Sequence, residues 1–258
     1  MKSETLRIRK NFKESSILFQ SESSQAISAA IEAVRSHRMN LERYILVNQK
    51  FLYTLKPVKV EENAPRVVKM MAEAGELAEV GPMAAVAGAL ADLAIEAMLN
   101  SGANVAIIED GGEIAASSQE LFIVGLYVGR NVLSGSIGFQ VNPSDCPIGI
   151  ATSSATVSHA FSFGEADAAT IFAGTSCIAD AFATAVCNAV QGKDIEESIQ
   201  KGLEIADRKK DLIRGTLIIR GMHVGTVGKI PQLVKIGRGF KVNKISLLEA
   251  ATDRTIFL

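Results

Sequence analysis

Val80-Gly-Pro-Met-Ala-Ala-Val-Ala-Gly-Ala-Leu-Ala-Asp-Leu-Ala-Ile-Glu-Ala-Met-Leu99, followed by Ala103-Asn-Val-Ala-Ile-Ile108 and the turn Asp110-Gly111-Gly112-Glu113, is the stretch that decides the fold. Gly81-Pro82 opens a long Ala-rich helix that ends near Asn100 to Gly102. It is the most apolar part of the chain, yet Asp92 and Glu96 interrupt it and its side chains are small. It therefore reads as a buried helix rather than a membrane span. The apolar run from Ala103 to Ile108, bounded by turn signals, reads as a buried strand. The Asp-Gly pair after it turns the chain sharply.

Working outward, Thr5 to Arg9 and Ser16 to Phe19 read as the two strands of a hairpin. Ser24 begins a helical pattern through Ile27, Ala30, Ile31 and Val34, and Asn40 is placed to cap another helix over Leu41 to Val47. Pro57 and Glu61-Glu62-Asn63 mark a loop. Pro65 then sits at the first turn of a helix carrying Val67, Val68, Met70 and Met71. On the C-terminal side, strands are expected at Leu121 to Val128, Gly135 to Val141, Ile148 to Thr152 and Ala168 to Ala173. Helices are expected at Ser176 to Val190 and Ile195 to Lys209. Strands near Gly215 to Arg220, Gln232 to Ile236 and Lys241 to Ile245 close the chain. The order is mixed rather than alternating βαβ, which favours an α+β fold with a largely antiparallel sheet. No linker divides residues 1–258, so one domain is expected. The two small-residue helices beside apolar strands hint at an internal duplication.

Composition narrows the function. Lys and Arg total 27 against 28 for Asp and Glu, a net charge of -1, which supplies no basic excess for a nucleic-acid binder. With no Trp and three Tyr, base-stacking platforms are not evident. Three cysteines without a CxxC pair give neither a disulfide framework nor a zinc signature. The polar start Met1-Lys-Ser-Glu-Thr lacks the apolar core of a secretion signal. The expectation is a soluble cytoplasmic protein with no membrane partner. No GxSxG, HExxH or Walker-type Lys loop occurs.

Several features could carry chemistry. The helices beginning at Pro82 and Ser176 are built of small residues, which let a backbone or a flat ligand approach closely, and a helix N-terminus suits phosphate; tight helix–sheet packing explains the same pattern. Asp180 and Thr184 lie one turn apart on one helix face, where two oxygens suit a hard cation such as Mg²⁺; a dipole-facing Asp and a back-bonded Thr are the plainer reading. Gly111-Gly112 before Glu113 forms either a ligand-facing bend or a simple hairpin. Thr152, Ser153 and Ser154 follow a strand and could hold phosphate or decorate a turn. His159 is the one histidine near these candidates, hence the one suited to acid–base work.

Together these blocks resemble the ApbE flavin transferase superfamily. Phe172-Ala-Gly-Thr-Ser-Cys-Ile-Ala-Asp-Ala-Phe-Ala-Thr-Ala-Val186 resembles its C-terminal signature, and Asn104 to Ile114 is similar to its strand and Gly-Gly turn. Gly81 to Asp92 resembles its helix start, and Gly149-Ile-Ala-Thr-Ser-Ser154 is similar to its Ala-Thr-Ser segment. Order and spacing agree over about residues 65 to 192, and residues 80 to 89 with Ser162-Phe-Gly-Glu-Ala-Asp167 resemble a smaller cytoplasmic ApbE-like branch. The chain differs in having Ala87-Gly88-Ala89 where the superfamily has Lys-Gly-Tyr, and Glu113 where it has Asp.

The resemblance implies a T-fold-like, two-layer duplication that uses Mg²⁺ and binds FAD or FMN. It implies Asp180, Thr184 and the Ala84 carbonyl as metal ligands. Gly81, Pro82, Met83, Ala85, Gly111, Gly112 and Glu113 would line the nucleotide, with Thr152, Ser153, Ser154 and Cys177 beside it. The implied activity is transfer of FMN to a Thr or Ser of an acceptor protein, or cleavage of the FAD diphosphate. The alternative is a non-catalytic carrier in sulfur assimilation, sulfide toward homocysteine, with Cys177 as its thiol. A homo-oligomer suits the apolar, aromatic-poor composition.

Overall fold

The computed structural model describes residues 5–13, 15–129, 131, 133–155, 164–236, 248–249 and 255–257. His159 and the strand expected at Lys241 to Ile245 lie outside them. In chain order the elements are β1 (Leu6–Phe12), β2 (Ser15–Ser21), α1 (Ser24–Val47), α2 (Gln49–Tyr53), α3 (Arg66–Ala78), α4 (Val86–Asn100), β3 (Val105–Asp110) and β4 (Glu113–Ser118). They continue with β5 (Phe122–Gly125), β6 (Ile137–Val141), β7 (Ile148–Ser153), β8 (Ala168–Ala173), α5 (Ser176–Ala189) and α6 (Ile195–Arg208). The last are β9 (Ile213–Arg220), β10 (His223–Gly228), β11 (Gln232–Lys235), β12 (Leu248–Glu249) and β13 (Thr255–Phe257).

An eight-stranded sheet in the order β1-β2-β3-β4-β7-β8-β9-β10 forms the centre, with every neighbour antiparallel. The α+β class with a largely antiparallel sheet is therefore the observed one. Helices cover one face: Ala151, Ile171 and Ala173 of the sheet share a core with α3, α4 and α5, and Ile17, Phe19 and Ile108 share one with α1 and α4. The other face packs on a second, five-stranded sheet, β12-β11-β6-β5-β13. The two sheets meet edge-to-face at Phe139 and Phe172, whose ring centres are 4.8 Å apart. Alternation along each strand assigns side chains to these faces, since successive residues point to opposite sides.

The structure departs from the expected elements in places. Asn40 starts no new helix; α1 runs unbroken for 24 residues, because Ile27, Ala30, Val34 and Leu41 lie on one stripe that passes straight through it. The run after the Gly-Gly turn forms β4, the second strand of that hairpin, whereas β10 was not expected as a strand. The helical stretch Pro82–Asn100, the 3₁₀ turn plus α4, is long and apolar enough to cross a membrane by composition, but it packs between α1, α5 and the sheet as a core helix.

Candidate active site

The N-terminal ends of α4 and α5 lie side by side, each holding the other through a carboxylate. Asp92 of α4 accepts hydrogen bonds from the Ser176 and Cys177 amides at the start of α5, both at 2.8 Å. Asp180 of α5 accepts one from the Gly88 amide at 3.0 Å. Such closeness requires glycine: a Cβ on Gly88 would stand 2.4 Å from the Ser176 carbonyl oxygen and 2.8 Å from the Cys177 Cα. The α5 amides at Ser176 and Cys177, expected to face phosphate, are thus already taken by Asp92.

Beneath this junction lies the β3–β4 hairpin. Gly111 and Gly112 have φ of +69° and +120°, values that favour glycine. Across the turn Asp110 pairs in register with Glu113. Asp110 follows Ala106 and Ile108, and Glu113 precedes Ala115, all on the helix side of the sheet. Both carboxyls therefore point toward the face that carries Asp180.

The result is a buried set of acids. Burial pushes Asp180 well above the carboxylate range; the Gly88 amide opposes the shift and the charges of Asp110 and Asp92 add to it. Burial also raises Glu113, helped by Asp180, Asp110 and Glu109. Asp110 is pushed up to about 6 by burial and the Glu109 charge, with Arg38 opposing. Asp92 rises to about 6 by burial against its two amide hydrogen bonds. Among the described residues, Oδ2 of Asp110 is buried without a hydrogen-bond partner.

Asp110 also forms part of the wall of a cavity of about 590 Å³. Leu41, Ile45 and Leu46 of α1 form one apolar side, and Met83, Val86 and Leu90 form the other. Lys13, Ser15, Arg38 and Glu42 make the polar rim. There Glu42 Oε1 meets Lys13 Nζ at 2.7 Å and Arg38 Nε at 3.2 Å, and Arg38 donates to the Ser15 hydroxyl at 3.1 Å. An apolar cavity of drug-like size, with a few placed polar groups, is the usual form of a small-molecule site.

The expected site residues are distributed around this centre. Met83 lines the cavity. Gly81 and Pro82 are buried, with Gly81 pressed against the Thr54 carbonyl. Ala84 is half-buried and Ala85 buried in the 3₁₀ turn Pro82–Ala85 that leads into α4. Thr184 lies half-buried one turn beyond Asp180. Gly112 accepts from the Thr152 amide at 3.3 Å. The Thr152 hydroxyl, however, meets the Thr170 hydroxyl at 2.8 Å. Thr152 follows Ile150 on the five-stranded side of the sheet, away from α5, whereas Ser153 falls on the helix side with Ala151. Ser154 is buried. The Cys177 thiol points at the Met70 carbonyl, 3.5 Å away, and burial raises it well above an ordinary thiol.

Asp92, Asp110, Lys13, Arg38 and the leucines of the cavity were not among the expected site residues. A carboxylate inside an apolar helix was the visible signal for Asp92. Asp110 read as turn chemistry, and the pairing of α1 with the hairpin is not visible in local pattern.

The fold is that of solved ApbE structures. The flavinyl transferase ApbE of Pseudomonas stutzeri matches with a TM-score of 0.57 at 13% identity, over 87% of this chain and 94% of that one. The flavin transferase ApbE of Vibrio cholerae matches with a TM-score of 0.55 at 12% identity, over 87% and 96%. The ApbE protein of Thermotoga maritima gives 0.56 at 14%, over 83% and 94%. The chain belongs to the family described as AbpE bacteria, which it matches over residues 1–220. A UPF0280 protein of Methanocaldococcus jannaschii is 45% identical over 235 residues, covering 90% of this chain and 95% of the relative. Another, from Methanothermobacter thermautotrophicus, is 43% identical over 205 residues, covering 80% and 79%.

Proposed function

We propose that the protein is a Mg²⁺-dependent flavin-nucleotide binding protein that transfers FMN from FAD to an acceptor protein or cleaves the FAD diphosphate. The observation that carries this is contiguity: the apolar cavity shares Asp110 with the buried acids at the α4–α5 junction. A ligand with a flat apolar part and a charged diphosphate part spans such a site.

The donor chemistry of these residues supports a hard cation. Asp180, Thr184 and the Ala84 carbonyl offer only oxygen donors, as Mg²⁺ requires. The acids around Asp180 raise one another's proton affinity, and a cation relieves that repulsion. When bound, it would neutralise charge on the diphosphate. The chain's own residues do the rest: Met83, Val86 and Leu90 exclude water from the ring, and Gly88 keeps α4 and α5 close enough for Asp180 to face the hairpin. His159 is assigned acid–base work. The Cys177 thiol, buried and raised, gives the carrier reading no exposed thiolate.

The test is to incubate pure protein with FAD and Mg²⁺ and separate the products. FMN and AMP are expected, with EDTA suppressing both. Intact FAD from a protein that binds it removes the catalytic reading, and failure to bind FAD removes the flavin reading.

A further inference from the structure

We infer that Asp110 is the specificity-determining residue of the cavity, accepting a hydrogen bond from an N–H on the ring of the ligand. The inference rests on the flavin-nucleotide reading and names what the site requires of its occupant: a neutral heteroaromatic with a donor edge.

Three observations converge on it. Asp110 is only 3% exposed, and among the described residues its Oδ2 has no hydrogen-bond partner. Buried acceptors in native proteins are almost always satisfied, and an exception needs an explanation. Among the described residues no donor reaches Oδ2, and the Arg38 charge acts on Asp110 without a hydrogen bond to it. Asp110 shares its side of the sheet with Glu113 and Asp180, which are acids, while Arg9 bonds Glu109 on the opposite side at 2.9 Å. The rim cations Lys13 and Arg38 both meet Glu42. The second observation is place, since Asp110 is part of the cavity wall and its neighbours there are mostly apolar. In such surroundings one polar group sets orientation. The third is sign. A carboxylate in this position repels phosphate, so an elongated nucleotide enters ring-first and its diphosphate stays toward Asp180 and a bound cation. The pyrimidine-like edge of a flavin carries a suitable N–H.

Binding of riboflavin, N3-methylriboflavin, FAD and ADP to the wild-type protein, D110N and D110L, followed by flavin fluorescence and calorimetry, tests this. Wild type is expected to bind riboflavin about tenfold or more tightly than N3-methylriboflavin, the order of a hydrogen bond to a charged group. D110L should lose that preference and bind FAD about tenfold more weakly, with ADP unchanged. D110N keeps a carbonyl acceptor and should stay within a few-fold of wild type, which separates a lost hydrogen bond from a disturbed fold. Equal binding of the two riboflavins by wild type, or undiminished FAD binding by folded D110L, overturns the role of Asp110 while leaving the flavin reading intact. A wild-type protein that binds neither riboflavin nor FAD overturns both.

Discussion

Asp110→Asn should stabilise the ligand-free protein. The carboxyl is pushed from an ordinary value of 3.8 to about 6 by burial and by Glu109, against the attraction of Arg38. That displacement of about two units corresponds to about 3 kcal/mol, at about 1.4 kcal/mol per unit. The sign follows from the raised native pKa. Below 3.8 both states carry the proton and nothing is lost. As pH rises toward 6 the unfolded chain ionises first, and above 6 the native state bears the full cost of a buried, unpartnered carboxylate. Asparagine removes the charge but still buries an amide, so about 2 kcal/mol should be recovered at pH 7.5. For a chain of this size that is a rise in Tm of about 4–8 °C. The Asp110 charge also raises Glu113 and Asp180, so their own burden should lighten in the same direction. The assay is thermal and urea unfolding of wild type and D110N at pH 7.5 and pH 4.5, without ligand. The gain should shrink toward zero at pH 4.5. A less stable D110N at pH 7.5, or an equal gain at both pH values, refutes the idea that Asp110 is held charged against its surroundings.

Asp180→Ala should abolish the thermal stabilisation that Mg²⁺ plus ADP gives the wild type; an equal shift in the variant retires the metal assignment. Gly88→Ala should cost about 3 kcal/mol in urea unfolding, because its Cβ meets the Ser176 carbonyl at 2.4 Å, and unchanged stability would mean that the helices separate freely. Asp92→Ala should cost about 2 kcal/mol by removing the acceptor for two α5 amides; a loss of a few tenths would show that water replaces it. In the native protein at pH 8, half-buried Cys146 should react with a thiol reagent before buried Cys177, and the reverse order, followed by peptide mapping, would revive a thiol role for Cys177.

Much of this architecture was legible where local pattern and packing agree. The α4 stretch, the strand after it and the Asp-Gly turn each carry one dominant signal, and each is present. Asn40 misled because a capping residue says nothing about whether the apolar stripe continues beyond it; Leu41 on the same face as Val34 carries α1 onward. β4 was signalled only by the hairpin turn before it, since the small residues of Glu113-Ile-Ala-Ala-Ser-Ser118 give little strand preference. It is a strand because β3 and β7 flank it on both edges. Of the site, the Asp180 helix face and the Gly-Gly turn could be read from spacing. The cavity could not, since α1, the β1–β2 hairpin and α4 are joined only by tertiary contact. Thr152 shows the limit of motif reading, because strand alternation turns its side chain to the opposite face of the sheet from Ser153.

Asp92 and Asp180 differ in a way that separates a scaffold role from the proposed site. Asp92 has each oxygen bonded by a backbone amide at 2.8 Å, which fixes α5 against α4. Asp180 has one bond from Gly88; the Asp110 charge raises its proton affinity rather than satisfying it, and Asp180 and Asp110 together raise that of Glu113. Packing alone would favour apolar residues at all three of those positions, since buried acids without cationic partners oppose folding. Their presence beside a cavity is a cost that ligand binding can offset, because anything that binds only the native state returns stability in proportion to its occupancy. The loaded protein should therefore outlast the empty one most at neutral pH, where these carboxyls are hardest to keep buried. Comparing the Tm gained from FAD plus Mg²⁺ at pH 5 and pH 8 tests this. A gain that is larger at pH 5 would mean that the acids take no part in holding the ligand.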